Sequence, residues 1–390
     1  MQALQGFEPV RRDNAAVVQG FELRDQRASN GSFVVYDEDP GHGFRQTFHR
    51  SLQSVYRPFA ARTQAHTERE PDEPPPARHN QGMRAHARIQ NRLAQGPLLL
   101  SGGLGTELLR RGHATPLPLW STAVLLEQPD AIRRLHADYV RAGAGLVTAN
   151  TFRTARASVA PHGLTARALT RQAVELARAG ARDAVPEGSV LVAGSLGPVA
   201  DCYRPDLVPD EPTLRAEHGL HVGSLVAARA DLVLVETMNT IREAVAALGA
   251  ARAGLLPAMI SFVVDAEAQL LSGESLADAI GAVEPYAPLA ILVNCCAPSH
   301  ATAALDTLAA RTTGPFGAYG NGAGQPDDEQ GWRFEGGHAD GAYITEARRW
   351  LAQGASVIGG CCGTGPETIQ ALRALLDECP TQDGRPTTGD

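Results

Sequence analysis

Two adjacent cysteines, Cys361 and Cys362, lie between glycines in the stretch GGCCGTG at residues 359–365. Successive side chains of a regular strand point to opposite faces. Both thiols therefore reach one centre only where the backbone leaves the strand path, and the flanking glycines permit this. Thiolates are preferred zinc ligands, and a catalytic zinc keeps three protein ligands and one open position. The best candidate for the third sulfur is Cys295, which ends another apolar run.

These cysteine motifs resemble those of the homocysteine S-methyltransferase family. In that family one cysteine of an Asn-Cys step and two of a Gly-Gly-Cys-Cys step hold zinc, and the matching residues here are Cys295, Cys361 and Cys362. The resemblance covers roughly residues 96–379. It implies Zn²⁺ as the cofactor and methyl transfer to the thiol of homocysteine, which forms methionine. No catalytic side chain is required, because the activated group is the thiolate of the substrate.

The resemblance also implies a set of residues that bind the amino-acid part of homocysteine. Glu236 matches the acidic residue that holds the amino group, and Thr151 matches a threonine used for the same substrate. The remaining predicted binding residues are Asn150, Ser101, Gly102 and Gly103. Without the resemblance, Glu236 is equally an acid near a helix N-terminus and Thr151 a helix cap. The family commonly has aspartate where Ser101 stands, and serine brings no charge, so this departure affects the identity or the affinity of the substrate.

The methyl donor is not fixed by these motifs. Family members use S-methylmethionine, S-adenosylmethionine, betaine or methyltetrahydrofolate, and the last usually comes with further domains. A short barrel favours a sulfonium donor, S-methylmethionine or S-adenosylmethionine, which leaves as a neutral thioether and needs no acid. The segment at residues 322–341, with Trp332 and Phe334, is a candidate lid or donor pocket, or simply a long surface loop.

Eight short apolar runs alternate with amphipathic segments rich in Ala, Arg and Leu from residue 97 onward. The runs span residues 97–102, 145–149, 190–195, 232–235, 258–264, 290–294, 316–320 and 356–359. This alternation predicts a (β/α)8 TIM-type barrel, with the active site at the carboxyl ends of the strands. The distinctive polar residues follow the runs, where a barrel would gather them. A doubly wound open sheet is the second choice, although no Gly-x-Gly-x-x-Gly turn follows the first run.

Residues 1–95 differ from the remainder of the chain. Their apolar residues show no helical or strand period, and residues 68–76 (EREPDEPPP) have a composition typical of disorder. We therefore predict a disordered extension at 1–95, or a start at Met83, then a barrel domain at 96–379 and a tail at 380–390.

Composition limits the other classes of function. The formal net charge is −8, which argues against nucleic acid as a partner. No apolar run reaches the roughly 18 residues that span a bilayer. Six cysteines, four of them in adjacent pairs, indicate metal chemistry in a reducing cytoplasm. The partners predicted are small molecules, homocysteine and a methyl donor, and the oligomeric state is not readable.

Two other functions stay open. One is a metal-dependent barrel hydrolase, although such sites usually draw on His and Asp ligands where this chain offers thiols. The other is a non-catalytic barrel that binds zinc or a thiol metabolite. Of the other cysteines, Cys296 would point away from the site and pack, Cys202 has no supporting motif, and Cys379 lies in the tail.

Overall fold

The computed structural model describes residues 75–327, 331–335 and 340–378, with side chains from Met83 onward. Eight of its strands form one parallel sheet: β1 (Leu98–Leu99), β2 (Leu146–Ala149), β3 (Leu191–Leu196), β4 (Leu232–Met238), β5 (Ala258–Phe262), β6 (Ile291–Asn294), β7 (Phe316–Tyr319) and β10 (Val357–Ile358). Two short strands, β8 (Gln325–Asp327) and β9 (Gly331–Arg333), form an antiparallel hairpin after β7. All eight predicted apolar runs are strands.

The parallel sheet closes on itself. Its order is β1-β10-β7-β6-β5-β4-β3-β2, so β1 and β2 are the two edges. These edges meet through a parallel bridge between Leu100 and Leu146, and the N–H of Ser101 donates to the Leu146 carbonyl at 2.9 Å. The predicted (β/α)8 barrel is confirmed, and the open doubly wound sheet is wrong.

A ring of helices surrounds the sheet. The helices that follow the eight strands in the predicted places are α4 (Pro129–Arg141), α6 (Ala166–Arg182), α7 (Glu211–Ala227), α8 (Ile241–Ala253), α9 (Leu276–Val283), α10 (Pro298–Arg311), α11 (Asp340–Ala352) and α12 (Pro366–Glu378). Each buries one stripe against the strands. In α6, for example, Leu169, Ala173, Val174 and Ala177 are buried at helical spacing. None of the described helices is both long and apolar enough to cross a membrane.

Helix α1 (Pro75–Ala94) lies in the segment for which the sequence predicts no regular element. Its Ile89 is fully buried in one cluster with Leu98, Leu191 and Leu232, residues at the amino ends of their strands. The helix therefore closes the amino end of the barrel. Its polar composition conceals this role, since among its side chains from Met83 onward, where the structure describes them, only Ile89 and Leu93, one turn apart, pack into the core. Residues 1–74 and 379–390, with the rest of the predicted extension and the tail, lie outside the described residues.

Three short helices complete the carboxyl side: α2 (Leu104–Arg110), α3 (Ser121–Glu127) and α5 (Arg156–Val159). Together with the β8–β9 hairpin, α2 and α3 cover the end of the barrel where the predicted site residues lie. Trp332 of the hairpin is almost fully buried, whereas Phe334 is exposed. The loop after β7 is thus partly a folded wall of the site.

Candidate active site

A cavity of about 260 Å³ opens at the carboxyl ends of the strands. It is lined by residues from β1, β2, β3, β4, β6, β7 and β10 and by the hairpin. Among the predicted site residues, its walls include Ser101, Gly102, Gly103, Asn150, Glu236, Cys295, Cys361 and Cys362. One cavity therefore gathers residues that are up to 261 positions apart in the chain.

The three predicted sulfur ligands meet at one point. The Sγ atoms of Cys295, Cys361 and Cys362 all lie within 4.8 Å of one another, and those of Cys295 and Cys361 are 2.9 Å apart. Cys295 has a φ of +53°, so the chain turns out of β6 at this residue. On the other side, Gly363 follows the pair with a φ of +77°. These turns bring sulfurs from two strands onto one centre, as the glycine-bracketed motif predicts.

The other cysteines are placed differently. Cys296 is buried in the hydrophobic core, where burial raises the pKa of its thiol to about 12. The prediction that it packs is confirmed. Cys202 is also buried and lines the cavity, but it is not part of the three-sulfur group. Cys379 lies outside the described residues.

The protonation of the three sulfurs indicates what they fit. Hydrogen bonds from the thiols of Cys361 and Cys362 hold the pKa of Cys295 well below its usual range. Its hydrogen bond to Cys295 raises the pKa of Cys361 well above the usual range, and the same partner raises that of Cys362. The pKa directions of the three thiols oppose one another, because like charges this close repel and three thiolates cannot easily share the site without a cation. A thiophilic metal cation removes that conflict, so the donor set fits a metal with three thiolate ligands.

Asn294, the residue before Cys295, connects the sulfurs to β4 and β5. Its side-chain oxygen accepts the Thr237 N–H at 3.0 Å and the Ser261 hydroxyl at 2.7 Å. Its amide donates to the Thr237 hydroxyl at 2.9 Å and lies 3.9 Å from the Sγ of Cys361. Thr237 has a φ of +61°, which is strained for a β-branched residue. The fully buried asparagine therefore holds two left-handed positions, Thr237 and Cys295, in register.

Glu236 is a buried carboxylate on the wall of the same cavity. The hydroxyl of Ser195 donates to its Oε1, and that of Tyr319 donates to its Oε2 at 3.0 Å. Burial raises its pKa to about 7, and the charge of Cys295 adds to the rise, whereas the bonds from Ser195 and Tyr319 oppose it. A positive group entering the cavity would stabilise the ionised form.

The other predicted binding residues divide into two groups. Gly102 and Gly103 line the cavity, and a Cβ at Gly103 would overlap the backbone carbonyl of Cys361, so this glycine permits a close approach. Ser101 lines it too, but its hydroxyl accepts the Thr148 N–H at 3.2 Å.

Asn150 and Thr151 are engaged with the protein. The Asn150 amide donates to the Ser121 carbonyl at 2.9 Å, and its oxygen accepts the Ser121 hydroxyl at 2.6 Å. Thr151 is fully buried, its hydroxyl donates to the Ser195 carbonyl at 2.7 Å, and it is not among the residues that line the cavity. The structure thus places Thr151 behind the wall, below Ser195.

Several cavity residues do not follow from the motifs. Tyr319 ends β7, and its position at a strand end is a usable signal. Tyr203 and Arg153 lie in loops after β3 and β2, and Trp120 precedes α3. No local pattern distinguishes these loop residues from ordinary surface residues. They are recognisable only once the loops are folded over the barrel.

The sequence of this chain is similar to those of known methyltransferases. A family model described as Homocysteine S-methyltransferase matches residues 98–376. The Homocysteine S-methyltransferase of Escherichia coli (strain K12) is 36% identical over 300 residues, which cover 71% of this chain and 94% of the relative. The Selenocysteine Se-methyltransferase of Brassica oleracea var. italica is 28% identical over 309 residues, 72% of this chain and 89% of the relative.

A solved structure agrees with these sequence matches. The homocysteine methyltransferase MmuM from Escherichia coli, in its metallated form, superposes with a TM-score of 0.65 at 33% identity. The match covers 74% of this chain and 99% of that structure.

Proposed function

Because the chain belongs to the homocysteine S-methyltransferase family, we propose that its three-sulfur site holds Zn²⁺ and that its methyl donor is S-methylmethionine. The enzyme transfers a methyl group to the sulfur of homocysteine. One observation carries the assignment of the site: a single cavity brings three cysteine sulfurs together with a buried carboxylate. A thiol and an ammonium group are the two features of homocysteine that such a pair can recognise.

The cysteines suit the activation of a thiol. A free thiol has a pKa of about 8.5, and only its thiolate is a good nucleophile. When bound, zinc supplies the positive charge that removes the thiol proton. Cys295, Cys361 and Cys362 would hold the ion, and the thiol of homocysteine would bind to it beside them. Their own negative charge keeps the sulfur of the substrate electron-rich.

Glu236 fixes the other end of homocysteine in this proposal. Its carboxylate accepts the substrate ammonium, and the hydroxyls of Ser195 and Tyr319 hold it in place. Gly102 lines the cavity, and its N–H makes no hydrogen bond with the described residues, so we assign it to the carboxylate of the substrate. When the ammonium and the carboxylate of homocysteine are both bound, its thiolate has few orientations left. This restriction supplies a large part of the rate enhancement that comes from positioning.

The size and polarity of the cavity favour a small donor. Ligand pockets span roughly 300–1,000 Å³, and this one, at about 260 Å³, lies just below that range. Two amino acids fill such a space better than an amino acid and a nucleoside. We therefore propose S-methylmethionine before S-adenosylmethionine. The thiolate attacks the methyl carbon, the carbon–sulfonium bond breaks, and its electron pair stays on the departing sulfur, so both products are methionine.

A metal-dependent hydrolase has less support. Such sites use His and Asp ligands to activate water, and no histidine is among the residues that line this cavity. A non-catalytic zinc or thiol sensor would share the geometry, so only turnover separates it from the enzyme.

The test is a paired assay of metal content and turnover on protein purified without chelator. We expect one zinc per chain and methionine formation from homocysteine and S-methylmethionine. Cys361→Ala should lose both, whereas Cys296→Ala, a core cysteine two strands from Cys361, should keep both. Zinc without turnover on any methyl donor would favour the sensor. Absence of zinc after reduction and reconstitution would refute the metal site.

A further inference from the structure

We propose that Arg153 binds the carboxylate of the methyl donor, with Asp201 facing its ammonium group, so that the enzyme selects sulfonium donors that are amino acids. This inference rests on the proposed function and specifies the donor side of the same cavity.

Arg153 is a cation in the cavity wall that has no acidic partner among the residues the structure describes. It follows the carboxyl end of β2, half-buried, and its guanidinium lies 5.7 Å from the centre of the Phe152 ring. It makes no hydrogen bond or ion pair with any residue that the structure describes. By contrast, Arg156, three residues on and outside the cavity, is paired with Glu217. A planar guanidinium held against an aromatic ring is well suited to a carboxylate, which it can bind through two parallel hydrogen bonds.

Asp201 supplies the opposite charge on the same cavity. It lies in the loop after β3, and one of its oxygens, Oδ1, accepts the Tyr203 N–H at 2.8 Å. Arg153 lines the same cavity as Asp201 and its two following residues, Cys202 and Tyr203. Arg153 and Asp201 form no ion pair within 4.0 Å. Two opposite charges that line one cavity and do not neutralise each other match the head group of a zwitterionic amino acid.

The acceptor does not need these two residues. Homocysteine, with its sulfur at the cysteines, already has Glu236 for its ammonium and the Gly102 N–H for its carboxylate. The donor must enter from the other side, because its methyl group has to lie in line with the attacking sulfur. Phe152 and Tyr203 line the same cavity and add aromatic faces, which attract a sulfonium cation. Arg153 then contacts the end of the donor farthest from the reacting carbon.

The experiment pairs a change in the donor with a change in the protein. S-methylmethionine is compared with its carboxamide, which keeps the sulfonium and the ammonium but lacks the carboxylate. A deuterated methyl group identifies the methionine made from homocysteine. We expect wild type to prefer the carboxylate donor by about 10- to 100-fold in kcat/KM, the usual worth of a charge-assisted hydrogen bond. Arg153→Gln should reduce that preference to within about threefold, through the donor KM, and Arg153→Lys should restore part of it.

Three controls make the result decisive. Arg167→Gln, an exposed arginine on α6 outside the cavity, should keep the wild-type preference. The KM for homocysteine should stay within about twofold in Arg153→Gln, and homocysteine carboxamide should be used equally poorly by both proteins. If Arg153→Gln keeps the preference between the two donors, or if it abolishes the preference between homocysteine and its carboxamide instead, the inference is wrong.

Equilibrium binding separates this inference from the proposed function. Trp120 and Trp332 line the cavity, so their fluorescence reports ligand entry without turnover. If wild type binds S-methylmethionine more tightly than the carboxamide, and Arg153→Gln does not, the donor site stands even where methyl transfer is absent. Equal binding of the two ligands by wild type overturns it.

Discussion

Glu236→Gln tests both the electrostatics of the site and its use. The carboxyl group is buried on β4, and burial raises its pKa to about 7 from an ordinary value of 4.5. Glutamine has the same shape and no charge. It therefore removes a carboxylate that is unfavourable in the free protein, and it also removes the group proposed to hold the ammonium of homocysteine.

The sign and size of the effect follow from linkage. The pKa of Glu236 is higher in the folded state, so its contribution to stability is present below about pH 4.5 and is lost as the pH rises through about 7. One pKa unit corresponds to about 1.4 kcal/mol, so the wild-type fold is less stable by about 3 kcal/mol at pH 8 than it would be with this group neutral. The advantage of Glu236→Gln should grow by about 2–3 kcal/mol between pH 5 and pH 8.

Urea unfolding at several pH values measures this difference. Glu127→Gln changes an exposed glutamate at the end of α3 that makes no ion pair with any residue the structure describes. It controls for loss of charge alone and should show no such growth. In Glu236→Gln, the KM for homocysteine should rise by about 10- to 100-fold, because the ammonium group loses a charged hydrogen-bond partner. A stability difference that is constant with pH, or that shrinks as the pH rises, would refute the reasoning. Unchanged homocysteine affinity would separate the buried acid from substrate binding.

Three further substitutions test the supports of the site. Asn294→Ala leaves the buried Thr237 N–H without its partner. We therefore expect the free energy of unfolding in urea to fall by about 2–4 kcal/mol and zinc binding to weaken in chelator competition. The control Asn150→Ala, at a residue that does not contact a sulfur, should lose stability but keep its zinc affinity. Gly103→Ala places a Cβ against the carbonyl of Cys361, and zinc affinity should fall about 10- to 100-fold, as for other changes next to metal ligands. Ile89→Ala leaves a void at the amino end of the barrel, so unfolding should require about 2–5 kcal/mol less while the KM values stay unchanged; an altered KM would contradict the separation of the two barrel ends.

Strand positions were accessible from sequence because parallel strands are covered on both sides. Residues 232–235 and 291–293 are continuous apolar runs, as burial on both faces requires. The grouping of Cys295, Cys361 and Cys362 was accessible for a different reason, since each motif directly follows an apolar run, where a barrel gathers residues at one end. Helix α1 escaped prediction because a helix that plugs one end of a barrel needs only a few apolar residues, here Ile89 and Leu93.

The hydrogen-bond network of the site could not be predicted in the same way. Glu236, Ser195 and Tyr319 come from three strands, and their contacts depend on the register of the closed sheet. The same holds for Thr151, whose motif predicts a binding role but whose hydroxyl is directed to the Ser195 carbonyl. A local motif identifies residues near a site, whereas the direction of each side chain is set by neighbours distant in the chain.

Ser101 connects the closure of the barrel to the recognition of the substrate. Its hydroxyl accepts the Thr148 N–H where β1 and β2 share only an isolated bridge, so this side chain adds a hydrogen bond at the point where the barrel closes. In the proposed function, with a neutral residue at position 101, Glu236 is the acid at the strand ends that attracts the ammonium of homocysteine. That acid is close to half-ionised near pH 7 when no substrate is bound. An arriving ammonium group favours its charged form, so homocysteine binding near pH 7 should release about half a proton from Glu236 in addition to the proton lost from the thiol.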